Sequence, residues 1–232
     1  MELISIYIPT HNRSVMLQRA LSSVLNQSYT NIEILVVDDG SKDNTKVVME
    51  EYVSKYDNIV YFRHDVPRGA CVARNLAISN AKGKYITGLD DDDEFLPNHL
   101  EVLINSFEDK YSFVASSLIE DTGNHKIKRK LDCGVITLDD LLHYNKVGNQ
   151  VFTLTDRLLS IGAFDESFPA FQDYDTWVRL INNFGDGNKI PETTYIWHTS
   201  HEKSRISHNP KKRLFALKLF IKKHHELISK KH

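Results

Sequence analysis

Four consecutive aspartates, Asp90 to Asp93, follow a short apolar run, Tyr85-Ile86-Thr87-Gly88-Leu89, and precede Phe95-Leu96-Pro97. Carboxylates this close repel one another, and unpaired charge taken out of water is costly. At a strand end such a run calls for a cation. Hard divalent ions such as Mg²⁺ and Mn²⁺ bind through one or two carboxylates plus phosphate oxygens. The plain alternative is a solvated acidic turn that caps the next helix, where Asp is favoured. Three further clusters carry polar chemistry: Pro9-Thr10-His11-Asn12-Arg13, Asp38-Asp39-Gly40-Ser41 and Gln172-Asp173-Tyr174-Asp175. His198 and His201 add two imidazoles late in the chain.

Alternating strand and helix patterns must position these groups. Leu3 to Ile8 is an apolar, β-branched run closed by Pro9, and Ile32 to Val37 is a second one. Between them Leu17, Ala20, Leu21, Val24 and Leu25 recur at helical spacing, predicting a helix from about Arg13 to Gln27. A helix from about Asn44 to Lys55, a strand over Ile59 to Phe62, a helix marked by Ala70, Ala73, Leu76 and Ala77, and a strand over Lys84 to Leu89 follow. Pro97 opens a further helix. Near-continuous apolar strands between amphipathic helices indicate α/β architecture, a mostly parallel, Rossmann-like sheet covered on both faces. Ligands of such sheets bind at the carboxyl ends of the strands, so Thr10, Asp39 and the aspartate run belong to one edge.

The second half is less regular. Strands are expected over Tyr111 to Ile119 and Gln150 to Thr155, helices over Leu138 to His143 and Asp175 to Asn183, and a strand over Thr193 to Trp197. Lys211 to Lys231 reads as a terminal helix with Leu214, Leu217, Ile221 and Leu227 or Ile228 on one side.

The 232 residues include 41% hydrophobic and 26% charged residues, which suits a globular chain with a sizeable core. No apolar run approaches the roughly 20 residues of a membrane span, and the first residues read as a strand, not a signal peptide. Cys71 and Cys133 lack metal-ligand spacing and fit a reduced, cytoplasmic setting. The net charge of −2 hides an asymmetry: from Arg205 onward nine Lys/Arg face the single acid Glu226, leaving twenty basic and thirty acidic residues in 1–204. An acidic body argues against nucleic acid as a partner. The basic helix, 205–232, packs on the domain or docks on an anionic lipid surface; the second would place the protein peripherally on the inner face of the plasma membrane.

The motifs, taken in order, resemble family 2 glycosyltransferases of the GT-A fold. They are Ile8-Pro9-Thr10-His11-Asn12-Arg13, Val36-Val37-Asp38-Asp39-Gly40-Ser41, Gly69 with Ala73-Arg74-Asn75, Leu89-Asp90-Asp91-Asp92-Asp93, Gly162-Ala163-Phe164-Asp165 and Gln172-Asp173-Tyr174-Asp175-Thr176-Trp177. The resemblance runs from residue 4 to about 204, read as one domain with a nucleotide-binding half (1–110) and an acceptor-binding half (111–204). Two positions depart from the pattern: Asp91 stands where the family commonly has a small residue, and Gln172 where it often has Glu.

The resemblance implies a nucleotide-sugar donor, usually with uridine, and transfer with inversion of a hexose or N-acetylhexosamine to a glycan or lipid-linked acceptor in surface-polysaccharide synthesis. Thr10 would contact the nucleoside through its backbone. Asp39 would accept from the base N–H, and Arg68 would meet the base carbonyl or a phosphate. Asp90 would approach the ribose or a metal-bound water, and Asp92 would ligate Mn²⁺ or Mg²⁺ at the diphosphate. Asp93 would assist or cap the helix at Pro97, while Asp91 would be a solvated or structural variant. His198, or alternatively His201, would join the metal site. Asp173 would be the general base on a loop, with Asp175 as its rival, and Tyr174 and Trp177 would form an acceptor platform. Trp177 in the helix core is the alternative.

Three other functions remain for comparison. A sugar-nucleotide pyrophosphorylase needs a Gly-rich basic loop after the first strand, and Pro9 to Arg13 is not one. A catalytically inactive nucleotide-sugar-binding module would not need Asp92 and Asp173. A phosphatase with an Asp-x-Asp nucleophile places that motif at its first strand, not at residue 90.

Overall fold

A computed structural model describes residues 1–129, 132–200 and 210–229. The chain runs β1 (Ile4–Thr10), α1 (Ser14–Leu25), β2 (Ile32–Asp38), α2 (Thr45–Lys55), β3 (Ile59–Arg63), α3 (Ala70–Ser79), β4 (Tyr85–Gly88), β5 (Glu94–Phe95) and α4 (His99–Ser106). It continues through β6 (Val114–Asp121), β7 (Lys126–Arg129), β8 (Gly134–Ile136), α5 (Leu138–His143), β9 (Thr153–Leu154), α6 (Thr155–Ser160), α7 (Gln172–Phe184) and β10 (Gly187–His198). Two helices, α8 (Pro210–Lys223) and α9 (His225–Ser229), close it.

The first sheet has the order β3-β2-β1-β4-β9. Its first four strands are parallel and β9 is antiparallel to β4. All seven residues of β2 are buried, as a strand covered on both faces requires. Alternation along β1 and β2 divides the core. Ile4, Ile6, Ile8, Ile34 and Val36 face one cluster, joined by Leu17, Leu21 and Val24 of α1 and Leu100 of α4. Tyr7, Leu35 and Val37 face the other, with Cys71, Ala73 and Ala77 of α3, Trp177 and Val178 of α7, and Phe220 of α8. The second sheet, β5-β10-β6-β7 with β8 also paired to β10, brings the second half of the chain against the carboxyl ends of the first. Its long strand β10 pairs parallel with β6 through register shifts between Ile190 and Tyr195.

Several boundaries differ from expectation. The helix after Pro97 begins at His99, two residues beyond that proline. Helix α7 begins at Gln172 rather than Asp175, so Asp173 lies in a first helical turn and not on a loop. The terminal helix breaks at His224, and its packed face is not the predicted one. Ala216, Phe220 and His224 are buried, whereas Leu214, Leu217 and Ile221 are 56%, 43% and 49% exposed. Hydrophobicity alone chose the wrong face, because Asp175 of α7 recruits Lys223 and His224 and thereby sets the rotation of α8. Among the described residues no helix is long and apolar enough to cross a membrane.

Candidate active site

The carboxyl ends of β1, β2 and β4 meet the start of α7 around one cleft of about 980 Å³. Thr10, Asp39, Asp90, Asp92, Asp173 and Tyr174 all line it.

The turn after β2 is built by its own aspartates. Asp38 is fully buried, with Tyr61, Arg63 and the Ser41 backbone N–H donating to its carboxylate. Gly40 has φ +69°, and a Cβ there would stand 2.8 Å from the Pro67 backbone N, so this turn needs glycine. Asp39 is thereby turned into the cleft. Its Oδ1 accepts from His64 Nδ1 and the Arg68 backbone N–H, both at 2.8 Å, and its Oδ2 from the Gly69 N–H at 2.7 Å. Burial alone would raise this carboxyl, but those hydrogen bonds outweigh it and hold Asp39 below its ordinary pKa. Arg68 therefore acts here through its backbone. Its side chain is exposed and does not line the cleft.

The four aspartates have four different surroundings. Asp90 accepts from Arg74 (2.9 Å) and Gln150 (3.2 Å). Asp91, only 4% exposed, accepts from Thr10 Oγ1 (2.7 Å) and Arg13 (2.8 Å). Burial pushes it up to about 6 despite the guanidinium, so it is structural and not solvated. Asp92 shares Arg13 at 3.0 Å. Asp93 accepts from Tyr195 Oη (2.7 Å) and the His198 backbone N–H (3.0 Å), and burial beside the other carboxylates pushes it well above the ordinary value. It caps no helix. Arg13 and Arg74 thus supply two of the cations that the run requires, and neither was assigned a role from sequence although both sit inside quoted motifs.

His198 is committed elsewhere. Its Nε2 lies 2.6 Å from Glu94 and its Nδ1 3.6 Å from Asp121, and it does not line the cleft. The expected metal pair Asp92 and His198 is therefore not assembled, because Glu94 captures the imidazole; His201 lies outside the described residues. Among those residues no group of three or more His, Cys, Asp or Glu forms a metal cage. Asp90 and Asp92, open to the cleft, still fit an octahedral ion that takes one or two carboxylates and completes its shell with diphosphate oxygens and water.

Across the cleft, Asp173 is half-buried, and its side chain meets Asn145 Nδ2 at 3.3 Å. Burial pushes its carboxyl up to about 6, against the α7 N-terminal amides and Arg74, which lower it. Arg74 spans the two halves: one terminal nitrogen reaches Asp90 and the other Gln172 Oε1 at 3.0 Å. Its buried Nε has no hydrogen-bond partner. Asp175, the rival base, is fully buried and bound by Arg179, Lys223 and His224.

Trp177 cannot serve an acceptor. It is 0% exposed, packs near Phe113 and Phe164, and donates its Nε1–H to Gly148 O at 3.1 Å. Trp177 lies one turn beyond Asp173 on the same side of α7, where the core has closed over the helix, whereas Trp197 of β10 does line the cleft. Trp177→Phe should lower the melting temperature by several degrees, since an emptied ring volume and an unpaired carbonyl together cost about 1–3 kcal/mol. KM for the acceptor should stay unchanged; a raised KM at constant stability would restore the platform. Tyr174 lines the cleft but is tied down by a hydrogen bond to Leu141 O and a 4.4 Å stack on Phe220.

Residues 5–168 match the family model of Glycosyl transferase family 2. The chain is 36% identical over 222 residues to WcaA of Escherichia coli (strain K12), named as a colanic acid biosynthesis glycosyl transferase, covering 90% of this chain and 77% of that one. It is 31% identical over 182 residues to the Escherichia coli UDP-Glc:alpha-D-GlcNAc-diphosphoundecaprenol beta-1,3-glucosyltransferase WfgD, covering 78% and 70%. Among solved structures, S. aureus TarS 1-349 in complex with UDP-GlcNAc superposes with a TM-score of 0.74 at 20% identity, covering 90% of this chain and 61% of that one. The mannosyltransferase PcManGT from Pyrobaculum calidifontis, in complex with GDP-Man and Mn²⁺, gives 0.71 at 16% identity, with 96% and 64% covered. The chain thus spans about three fifths of these solved neighbours, which at such identities show the fold. That fold is the GT-A fold of nucleotide-sugar transferases. With the family model matched over most of its length, the chain belongs to glycosyl transferase family 2 and is a glycosyltransferase.

Proposed function

We propose that this glycosyltransferase moves a hexose or N-acetylhexosamine from a UDP-sugar to a lipid-linked glycan acceptor, with inversion, in surface-polysaccharide synthesis. One observation carries this: Asp173, held up at about 6, faces the same cleft as Asp39 and the Asp90/Asp92 pair. An inverting transfer needs a carboxylate base on one side of the sugar and a site for the leaving diphosphate on the other. Asp173 takes the proton of the acceptor hydroxyl as that oxygen bonds to the anomeric carbon, and the bond from that carbon to the UDP oxygen breaks. Asp39 and Thr10 hold the nucleoside; Asp90, bound to Arg74, holds the ribose side. Mn²⁺ or Mg²⁺, held by Asp92 with Asp90, would neutralise the departing diphosphate. The WfgD name, with its diphosphoundecaprenol acceptor, favours a lipid-linked acceptor here. The basic helix α8, with Leu214, Leu217 and Ile221 exposed, favours a peripheral anionic membrane contact.

Calorimetric titration with UDP should tighten on adding Mn²⁺ or Mg²⁺, and Asp92→Ala should abolish that gain. Equally tight binding with and without metal would remove the ion from the site. UDP-sugars should also protect the fold against heat, by about 2.7 kcal/mol at a hundred times Kd, and by more than dTDP- or GDP-sugars do at the same concentration.

A further inference from the structure

The cleft wall contains three arginines, Arg13, Arg74 and Arg213. Arg13 is neutralised by Asp91 and Asp92, and Arg74 by Asp90. Arg213, contributed by α8, meets no carboxylate among the described residues; its guanidinium carbon lies 5.9 Å from the centre of the Phe171 ring. It lines the same cleft as the proposed base Asp173, with its guanidinium over Phe171, two residues before that base. Phe171 itself is held at φ +61°, a left-handed conformation that a bulky residue adopts only when its surroundings enforce it. That backbone sets the entry into α7, with the ring against Arg213.

A guanidinium that meets no carboxylate among the described residues, in a cleft otherwise rich in carboxylates, selects an anion, and its planar fork suits phosphate oxygens. The helix that carries it adds a second property. From Pro210 to Lys223 there is no acidic residue. Leu214, Leu217 and Ile221, at i, i+3 and i+7, share one exposed face, with Lys211, Lys218 and Lys222 beside it. Arg213 therefore faces the cleft from a helix whose outer face offers hydrocarbon and positive charge. An amphiphile with a phosphate head and a hydrocarbon tail matches both.

On the premise of the glycosyl-transfer function above, we propose that Arg213 binds the phosphate of the acceptor, a diphosphate ester carried on a hydrocarbon chain that leaves the cleft along α8. Arg213 then presents the acceptor hydroxyl to Asp173 by holding the far end of the molecule, separately from the donor diphosphate at Asp90 and Asp92.

The test is a titration of the full chain, saturated with UDP so that the donor site is filled, with farnesyl diphosphate, inorganic diphosphate and farnesol. Farnesyl diphosphate should bind in the presence of UDP, and Arg213→Gln should weaken it at least tenfold while Arg213→Lys keeps part of the affinity. Inorganic diphosphate should bind more weakly and with the same dependence on Arg213, and farnesol should be insensitive to the substitution. UDP affinity should be the same in all three proteins, which also shows that the variants fold. Unchanged farnesyl diphosphate binding in Arg213→Gln, or simple competition between it and UDP, overturns the assignment. Inorganic diphosphate binding as tightly as farnesyl diphosphate overturns the hydrocarbon part. A wild-type chain that binds no UDP defeats the transfer function itself, a result distinct from the others.

Discussion

Asp173→Asn should lower the transfer rate by about 10²–10⁴-fold, the usual contribution of a positioned general base, while UDP binds as before. The carboxylate is the only change, and the amide is close to isosteric. Because burial holds the wild-type carboxyl at about 6, transfer should fall roughly tenfold per pH unit below that value. Stability separates loss of the base from misfolding. The folded state raises this carboxyl above its unfolded value, so its ionisation opposes folding above about pH 6 and is without effect once both states are protonated. The asparagine variant should therefore melt no lower than wild type at pH 8, and the two should converge near pH 3. Full activity in Asp173→Asn would reassign the base.

Asp175→Asn should act on stability instead. The carboxylate is wholly buried and holds Arg179 at 2.8 Å, His224 at 2.9 Å and Lys223, joining α7 to the junction of α8 and α9. Removing one partner from such a buried cluster costs about 3–5 kcal/mol, or roughly 10 °C in melting temperature for a chain of this size. Burial would raise Asp175, but His224, Arg179 and Lys223 outweigh it and hold the carboxyl below its ordinary value. The stabilisation is thus present above an unfolded pKa of about 3.9 and fades as pH falls through the lower folded value. Differential scanning calorimetry of both proteins from pH 7 to pH 2 should show the gap closing. A variant that melts like wild type yet transfers no sugar would make Asp175 the base and leave Asp173 as its neighbour.

The parallel sheet was legible because its strands are buried on both faces and read as unbroken apolar runs, as in Ile32 to Val37. The helix-to-strand alternation then placed Thr10, Asp39 and the aspartate run on one edge, and the cleft is there. Side-chain commitments were not legible. His198 follows a strand as expected, but Glu94, far away in sequence, takes its ring. Trp177 follows the acidic motif as expected, but it sits one turn deeper along α7, where the core covers it. Arg213 showed only as one base in a basic helix.

By itself the sequence determined the fold class, the family and the edge on which the polar clusters gather, since these follow from local periodicity and from motif order. Only the tertiary structure decided which of four adjacent carboxylates are tied to Arg13, Arg74 or Tyr195, and which face of α8 is left outside. Those outcomes depend on pairings between residues tens to more than a hundred positions apart. In a desolvated setting each charge takes the nearest complementary group, and no local pattern records which group that is.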